Sequence, residues 1–150
     1  MDDESFRVAE LLLQSFTCGH ILMKLALEAQ HRDNPDLVRA VTGLAVGMGQ
    51  GFACGALTGG CCVLGLYAGR AGEDQQVHPF FDVMLEEFSS WFDCEMTEKY
   101  GGINCADIMK FDLKLKQERC PGVILESWRK AKEILAKHDV DISEPPPAAA

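Results

Sequence analysis

The chain has 150 residues, 47% of them hydrophobic and 25% charged, and carries a net charge of −9. This length is enough to bury one core without disulfide or metal staples, and the composition is that of an ordinary globular protein. The acidic balance argues against a nucleic-acid binder, because phosphate contacts need clustered Lys and Arg.

Apolar residues recur at helical spacing along the chain. Phe6, Ala9, Leu12, Leu13 and Phe16 form a first stripe, and Ile21, Leu22, Leu25 and Leu27 continue it after the interruption at Thr17-Cys18-Gly19. The segment RDNPD predicts a turn, with Pro35 suited to an early helical position. Leu37, Val41, Leu44, Ala45 and Met48 make the next stripe. Pro79 is expected to open an amphipathic helix whose apolar face is Phe80, Phe81, Met84, Leu85, Phe88, Trp91 and Phe92. Its acidic residues read as a solvated face: residues 71–100 hold eight carboxylates against the single base Lys99. INCADIMKFDL reads as a short helix, and Pro121 as the opening of a last one carrying Ile124, Leu125, Trp128, Ile134 and Leu135. No segment alternates as a strand would. The expected fold is all-α, a single-domain bundle of about five to six helices around a glycine-rich central helix over residues 1–140, with 141–150 a Pro/Ala-rich flexible tail.

Residues 40–69 contain no charge, which is formally long enough for a membrane span. Nine glycines, a central Gln50 and the near absence of aromatic anchors favour a buried central helix pair instead. Gly43, Gly47, Gly51, Gly55 and Gly59 recur every four residues and would share one face of a continuous helix, allowing close approach of a neighbour. GMGQGF is better read as a break between two helices. It completes neither GxGxxG nor GxxxxGK[ST], so a phosphate loop is not supported.

The seven cysteines are Cys18, Cys54, Cys61, Cys62, Cys94, Cys105 and Cys120. The acidic start lacks the basic end and apolar run of a secretory signal, so a cytoplasmic, reducing location is expected. No CxxC pair or zinc-finger spacing occurs. Four of the seven fall at expected helix starts: Cys18 after Thr17, Cys54 after the glycine break, Cys105 after Asn104 with Asp107 completing a capping box, and Cys120 as the cap before Pro121. The positive end of a helix dipole favours a thiolate, so all four thiols are expected to have lowered pKa values. Cys61, Cys62 and Cys94 fall inside helices and read as small buried residues.

A cysteine near the start, then Cys54-Gly55-Ala56-Leu57-Thr58-Gly59, then Cys105 in GGINCADIM and Cys120 in ERCPGVILESW, resembles the small bacterial C_GCAxxG_C_C family over about residues 5–138. The resemblance implies about 140 residues, four characteristic cysteines and a redox role inferred from them, with no established substrate. Cys61, Cys62, Cys94 and the proline-rich tail depart from its pattern.

Three functions are compatible with these residues. In the first, Cys18, Cys54, Cys105 and Cys120 converge for thiol–disulfide or electron-transfer chemistry, needing no cofactor and an unidentified redox partner. In the second, the same four cysteines bind zinc or an iron–sulfur cluster, with His20 as a substitute ligand; the plainer reading of His20 is a satisfied helix histidine. In the third, the chain is a non-catalytic helical interaction module whose cysteines only pack. A homodimer is compatible with glycine-faced helices. Hydrolytic machinery is unsupported, since His31, His78 and His138 read as helix-end or loop residues and no carboxylate–histidine set appears.

Overall fold

A computed structural model describes residues 1–145, which form seven α-helices with a single isolated antiparallel β-bridge between Ala53 and Asn104. The helices are α1 (Asp3–Leu13), α2 (Cys18–Ala29), α3 (Pro35–Ala40), α4 (Gly55–Ala68), α5 (Phe81–Tyr100), α6 (Cys105–Met109) and α7 (Leu113–Lys137). The all-α expectation holds, with seven helices against the expected five to six. Local chemistry places most of the starts. Asp2 accepts from Ser5 N at 2.8 Å, and Asn34 accepts from Leu37 N at 3.1 Å with Pro35 in the first turn. Gly101, at φ 87°, ends α5.

The central element is α4, apolar on nearly every face and packed against α2, α5 and α7. Its Ala56, Val63 and Leu64 join Leu22 of α2, Phe88 of α5 and Ile124 of α7 in one continuous core. No helix among the described residues is long and apolar enough to cross a membrane.

Three expectations need correction. First, residues 40–69 do not form a helix pair. After α3 the chain tightens into a 3₁₀ turn at Val41–Leu44. Val46, Gly47, Met48 and Gly49 then take left-handed φ values of 53°, 56°, 57° and 73°. The break expected at GMGQGF is therefore a left-handed turn rather than a simple interruption. A Cβ on Gly47 would lie 2.3 Å from Phe52 O, so the turn requires glycine there. The five glycines spaced by four consequently do not share a face.

Second, Pro121 does not open the last helix. Asp112 caps it instead, accepting from Lys114 N at 2.8 Å, and Pro121 lies within α7. An interior proline costs about 3 kcal/mol and leaves the carbonyl four residues earlier without its helical donor. The buried face of this 25-residue helix, including Ile124, Trp128, Ile134 and Leu135, offsets that cost. Third, Cys62 and Cys94 are exposed rather than buried.

Of the expected tail, Ile142 packs on the core and its carbonyl lies 2.9 Å from Tyr67 Oη. Residues 146–150 of that tail lie outside the described residues.

Candidate functional site

Helices α2 and α4 run side by side in the same direction. Gly55 sits at the Cys18 Cβ and Gly59 at the Gly19 Cα at one end, while Tyr67 Oη reaches Ala26 O at 3.2 Å at the other. Glycine makes this approach possible. A Cβ on Gly59 would lie 2.8 Å from the Gly19 Cα, and one on Gly55 would lie 3.3 Å from both the Cys18 Cβ and Leu44 O. The segment CGAxxG is thus a packing device. It lets two parallel helices touch backbone to backbone and sets their first turns, with Cys18 and Cys54, against each other.

Cys105 is brought in by the β-bridge. Cys54 N donates to Ile103 O at 2.9 Å, and Cys105 N donates to Phe52 O at 2.7 Å. Asn104 and Asp107 then form the expected capping box, with Asn104 N donating to Asp107 Oδ2 at 3.1 Å. Gly102 leaves room for that carboxylate, since a Cβ there would come within 2.2 Å of Asp107 Oδ2. Cys120 arrives from α7. Arg119 beside it donates to Ile108 O at 2.8 Å and lies over the Tyr100 ring, tying α7 to α6 and α5.

All four cysteines line one small cavity of about 40 Å³, together with Leu12, Phe16, Val46 and Lys116. Cys18 is the hub, sharing this cavity with the Cys120 and Cys54 sulfurs. Interaction with those two sulfurs, then burial, pushes its pKa well above the ordinary thiol value. The same interactions act oppositely on its two neighbours. Cys54 is lowered by Cys18 first, against burial, with help from the Ala56 and Leu57 amides that face its sulfur without closing a full capping bond. Cys120 is lowered by Cys18, and further by the Lys116 ammonium one turn earlier on α7. Cys105 is pushed up to about 11 by burial and by the neighbouring Cys54 and Cys120 sulfurs. The expectation that helix starts lower all four pKa values is therefore corrected. Cys18 and Cys105 occupy helix starts yet are raised, because tertiary contacts outweigh the dipole. Cys120 is lowered although it sits mid-helix.

The three remaining cysteines stand apart. Cys61 contacts Ser89 Oγ at 3.9 Å, and burial raises its pKa; Cys62 is raised by burial and borders a separate apolar pocket beside Leu44 and Leu66. His20 has both ring nitrogens engaged. Nδ1 accepts from Thr17 N at 3.2 Å, so Nε2 carries the proton donated to Thr42 Oγ1 at 2.7 Å. Burial, then Lys24, lowers its pKa, consistent with this neutral capping role. Among the described residues no three His, Cys, Asp or Glu side chains are grouped so as to hold a metal ion.

Among the described residues Lys116 is the one charged side chain lining the thiol cavity, a position that no local motif marks. Its sequence signal is the four-residue step from Lys116 to Cys120, meaningful only once α7 is known to begin at Leu113. No local motif marks Val46 either. It is a β-branched residue held at φ 53° on the cavity wall, a conformation costing about 1–2 kcal/mol.

Fold and site together define a helical protein with four clustered thiols at one end of a bundle. Comparison with family models gives the same pattern a name. Residues 16–134 match the model described as "Putative redox-active protein (C_GCAxxG_C_C)", and the chain belongs to that family. Comparisons with curated proteins and with solved structures find no match.

Proposed function

We propose that the protein is a thiol–disulfide redox protein in which Cys18 exchanges partners with Cys54 and Cys120. The observation that carries this reading is the convergence of Cys18, Cys54 and Cys120 on one small cavity, where the Cys18 thiol is raised and its two neighbours are lowered. A thiolate beside a protonated thiol is the arrangement from which one sulfur attacks and the second resolves. Oxidation of Cys18 with either neighbour removes two electrons and two protons and forms one S–S bond. Cys105 lies in the same cavity with its pKa raised, and is assigned the role of a reserve partner for Cys54 or Cys120.

The geometry favours this reading over a four-thiolate metal site. A metal shell needs several ligands converging on one point, whereas among the described residues no three His, Cys, Asp or Glu side chains are grouped so as to hold a metal ion. The test is anaerobic purification followed by a visible spectrum, metal analysis and a thiol count before and after a mild oxidant. Metal-free protein that reversibly loses thiols in pairs, mapped to Cys18 with Cys54 or Cys120, is the expected result. Stoichiometric iron or zinc would overturn it in favour of a metal centre. Inert thiols without metal would leave an interaction module. Cys18→Ser is expected to abolish the reversible pair.

A further inference from the structure

A second, larger concavity adjoins the thiol cavity. It is a groove of about 690 Å³ between α1 and the first half of α7, lined by Val8, Leu12 and Leu13 on one side and by Leu113, Pro121 and Leu125 on the other. Phe16, Thr17, Lys116 and Cys120 border both spaces. Cys120 is thus the sulfur shared by the thiol triplet and the groove. The groove contrasts with the surface around it. The protein carries a net charge of −9, yet no carboxylate lines this groove among the described residues, and Lys116 is its one charged side chain. Leu13 and Leu113 at its rim are 87% and 67% exposed, a large apolar area left uncovered. Pro121 and Gln117 both line the groove, and because Pro121 has no N–H the Gln117 carbonyl four residues earlier lacks its helical donor.

Resting on the thiol-exchange reading, we propose that this groove binds the substrate: a compact organic disulfide with an apolar body and at most one negative charge, its S–S bond held at Cys120. The size falls within the ordinary range for a small-molecule site, and the lining selects for an apolar body. A single lysine in a carboxylate-free groove favours a neutral or singly anionic ligand over a cationic one. Cys120 is the entry sulfur because, among the described residues, it is the one cysteine that lines this groove.

The exchange balances without any further reactant. The Cys120 thiolate attacks one sulfur of R–S–S–R′. A Cys120–S–R bond forms, the substrate S–S bond breaks, and R′S⁻ leaves, taking a proton from solvent. Cys18 then attacks the Cys120 sulfur, forming the Cys18–Cys120 disulfide. The S–R bond breaks and RS⁻ departs with the Cys18 proton. Two electrons pass from the protein thiols to the substrate, so one disulfide and two thiols give one disulfide and two thiols.

Gly122 provides the test. A Cβ there meets nothing within 4 Å, and Gly122 lines the groove, so Gly122→Phe puts a ring into the groove without disturbing the packed backbone. The reduced protein is treated separately with 4,4′-dipyridyl disulfide, which is aromatic and uncharged, and with bis(2-hydroxyethyl) disulfide, which is small and polar. Formation of the Cys18–Cys120 bond is followed by mass spectrometry, so reaction at exposed Cys62 and Cys94 does not interfere. Gly65→Ala in α4, away from the groove, is the control, and urea unfolding confirms that each variant is folded. Gly122→Phe is expected to slow the aromatic reagent by about tenfold or more and the polar one by less than about threefold, as loss of an apolar binding surface requires. Equal slowing of both reagents, or of neither, overturns the groove proposal while leaving thiol exchange standing. If the unmodified protein yields only a Cys18–Cys54 bond, the groove proposal alone fails; if neither reagent yields a disulfide of Cys18 with Cys120 or Cys54, the thiol-exchange reading fails and the groove proposal with it.

Discussion

Gly59 and Gly60 are neighbours in α4 that face different partners, and together they test whether CGAxxG serves the thiols or only the core. In Gly59→Ala the new Cβ would lie 2.8 Å from the Gly19 Cα. That is about 0.6 Å inside ordinary contact, and because the obstacle is backbone, α2 and α4 must move apart. Overpacking of this kind costs about 1–3 kcal/mol, and the better helix propensity of alanine returns about 0.5–1 kcal/mol. Taken at the middle of both ranges the net loss is about 1 kcal/mol, or roughly a 0.5 M fall in urea midpoint. In Gly60→Ala the Cβ would lie 2.2 Å from the Phe88 ring, which is fully buried beside Trp91 and Phe92. The stability loss should be similar or greater, but the displacement falls on the α5 side. Brief diamide treatment followed by disulfide mapping separates the two. Gly59→Ala should slow formation of Cys18-containing disulfides, and Gly60→Ala should leave it near that of the unmodified protein. Equal slowing in both variants would refute the assignment of Gly59 to the site. So would a Gly59→Ala protein with unchanged midpoint and unchanged disulfides.

Four further outcomes follow from the same geometry. Cys120 should be alkylated by iodoacetamide with a midpoint below the ordinary thiol value of 9.0, and Cys18→Ala should move that midpoint upward by removing the neighbour that lowers it; a profile unmoved by the substitution refutes the influence assigned to Cys18. Asp107→Ala should destabilise α6 by about 1 kcal/mol and speed amide exchange at Cys105, with unchanged exchange as the contrary result. Glu4 accepts from Trp128 Nε1 at 3.2 Å and pairs with Lys132 and Arg129, and these bonds lower its pKa despite burial. Its contribution is therefore fully present above the ordinary value of 4.5 and lost as pH falls through the lower folded value; Trp128 fluorescence should change there, and Glu4→Gln should remove the transition. Val46→Gly should raise stability by about 1 kcal/mol through relief of left-handed strain, and an unchanged or lower urea midpoint would show that the Val46 side chain earns its place on the cavity wall.

The sequence made legible whatever depends on a few adjacent residues. Thr17 before Cys18, and Asn104 with Asp107 around Cys105, identify those helix starts because a cap is closed within three residues. Cys120 was placed at a helix start because proline favours the first turn. Asp112, eight residues earlier, holds the stronger local signal, and a buried face as long as that of α7 tolerates the interior proline. The bridge between Ala53 and Asn104 spans segments with no shared local pattern, so the route by which Cys105 joins Cys54 was not readable. Thiol ionisation was misjudged for the same reason. A helix dipole is a local property, but the influence of Cys54 and Cys120 on Cys18 depends on where three separate helices place their sulfurs.

The glycine ladder shows why spacing alone misleads. Gly43, Gly47, Gly51, Gly55 and Gly59 recur every four residues, yet four of them answer two different physical needs and Gly43 answers neither. A side chain at Gly43 would meet nothing within 4 Å, so packing does not require glycine there. Gly47 and Gly51 have φ values of 56° and 73°, and are needed for backbone conformation. Gly55 and Gly59 are the two that bring α4 against α2, at Cys18 and Gly19. The family motif begins where this last function begins. Cysteine comes first because the residue capping α4 is the one brought nearest to the start of α2, and the glycines follow because nothing larger would let the two starts meet. The left-handed turn just before the motif serves the same end: it delivers the chain to Cys54 from the side, through the bridge to Asn104, so that a third helix start reaches the cavity.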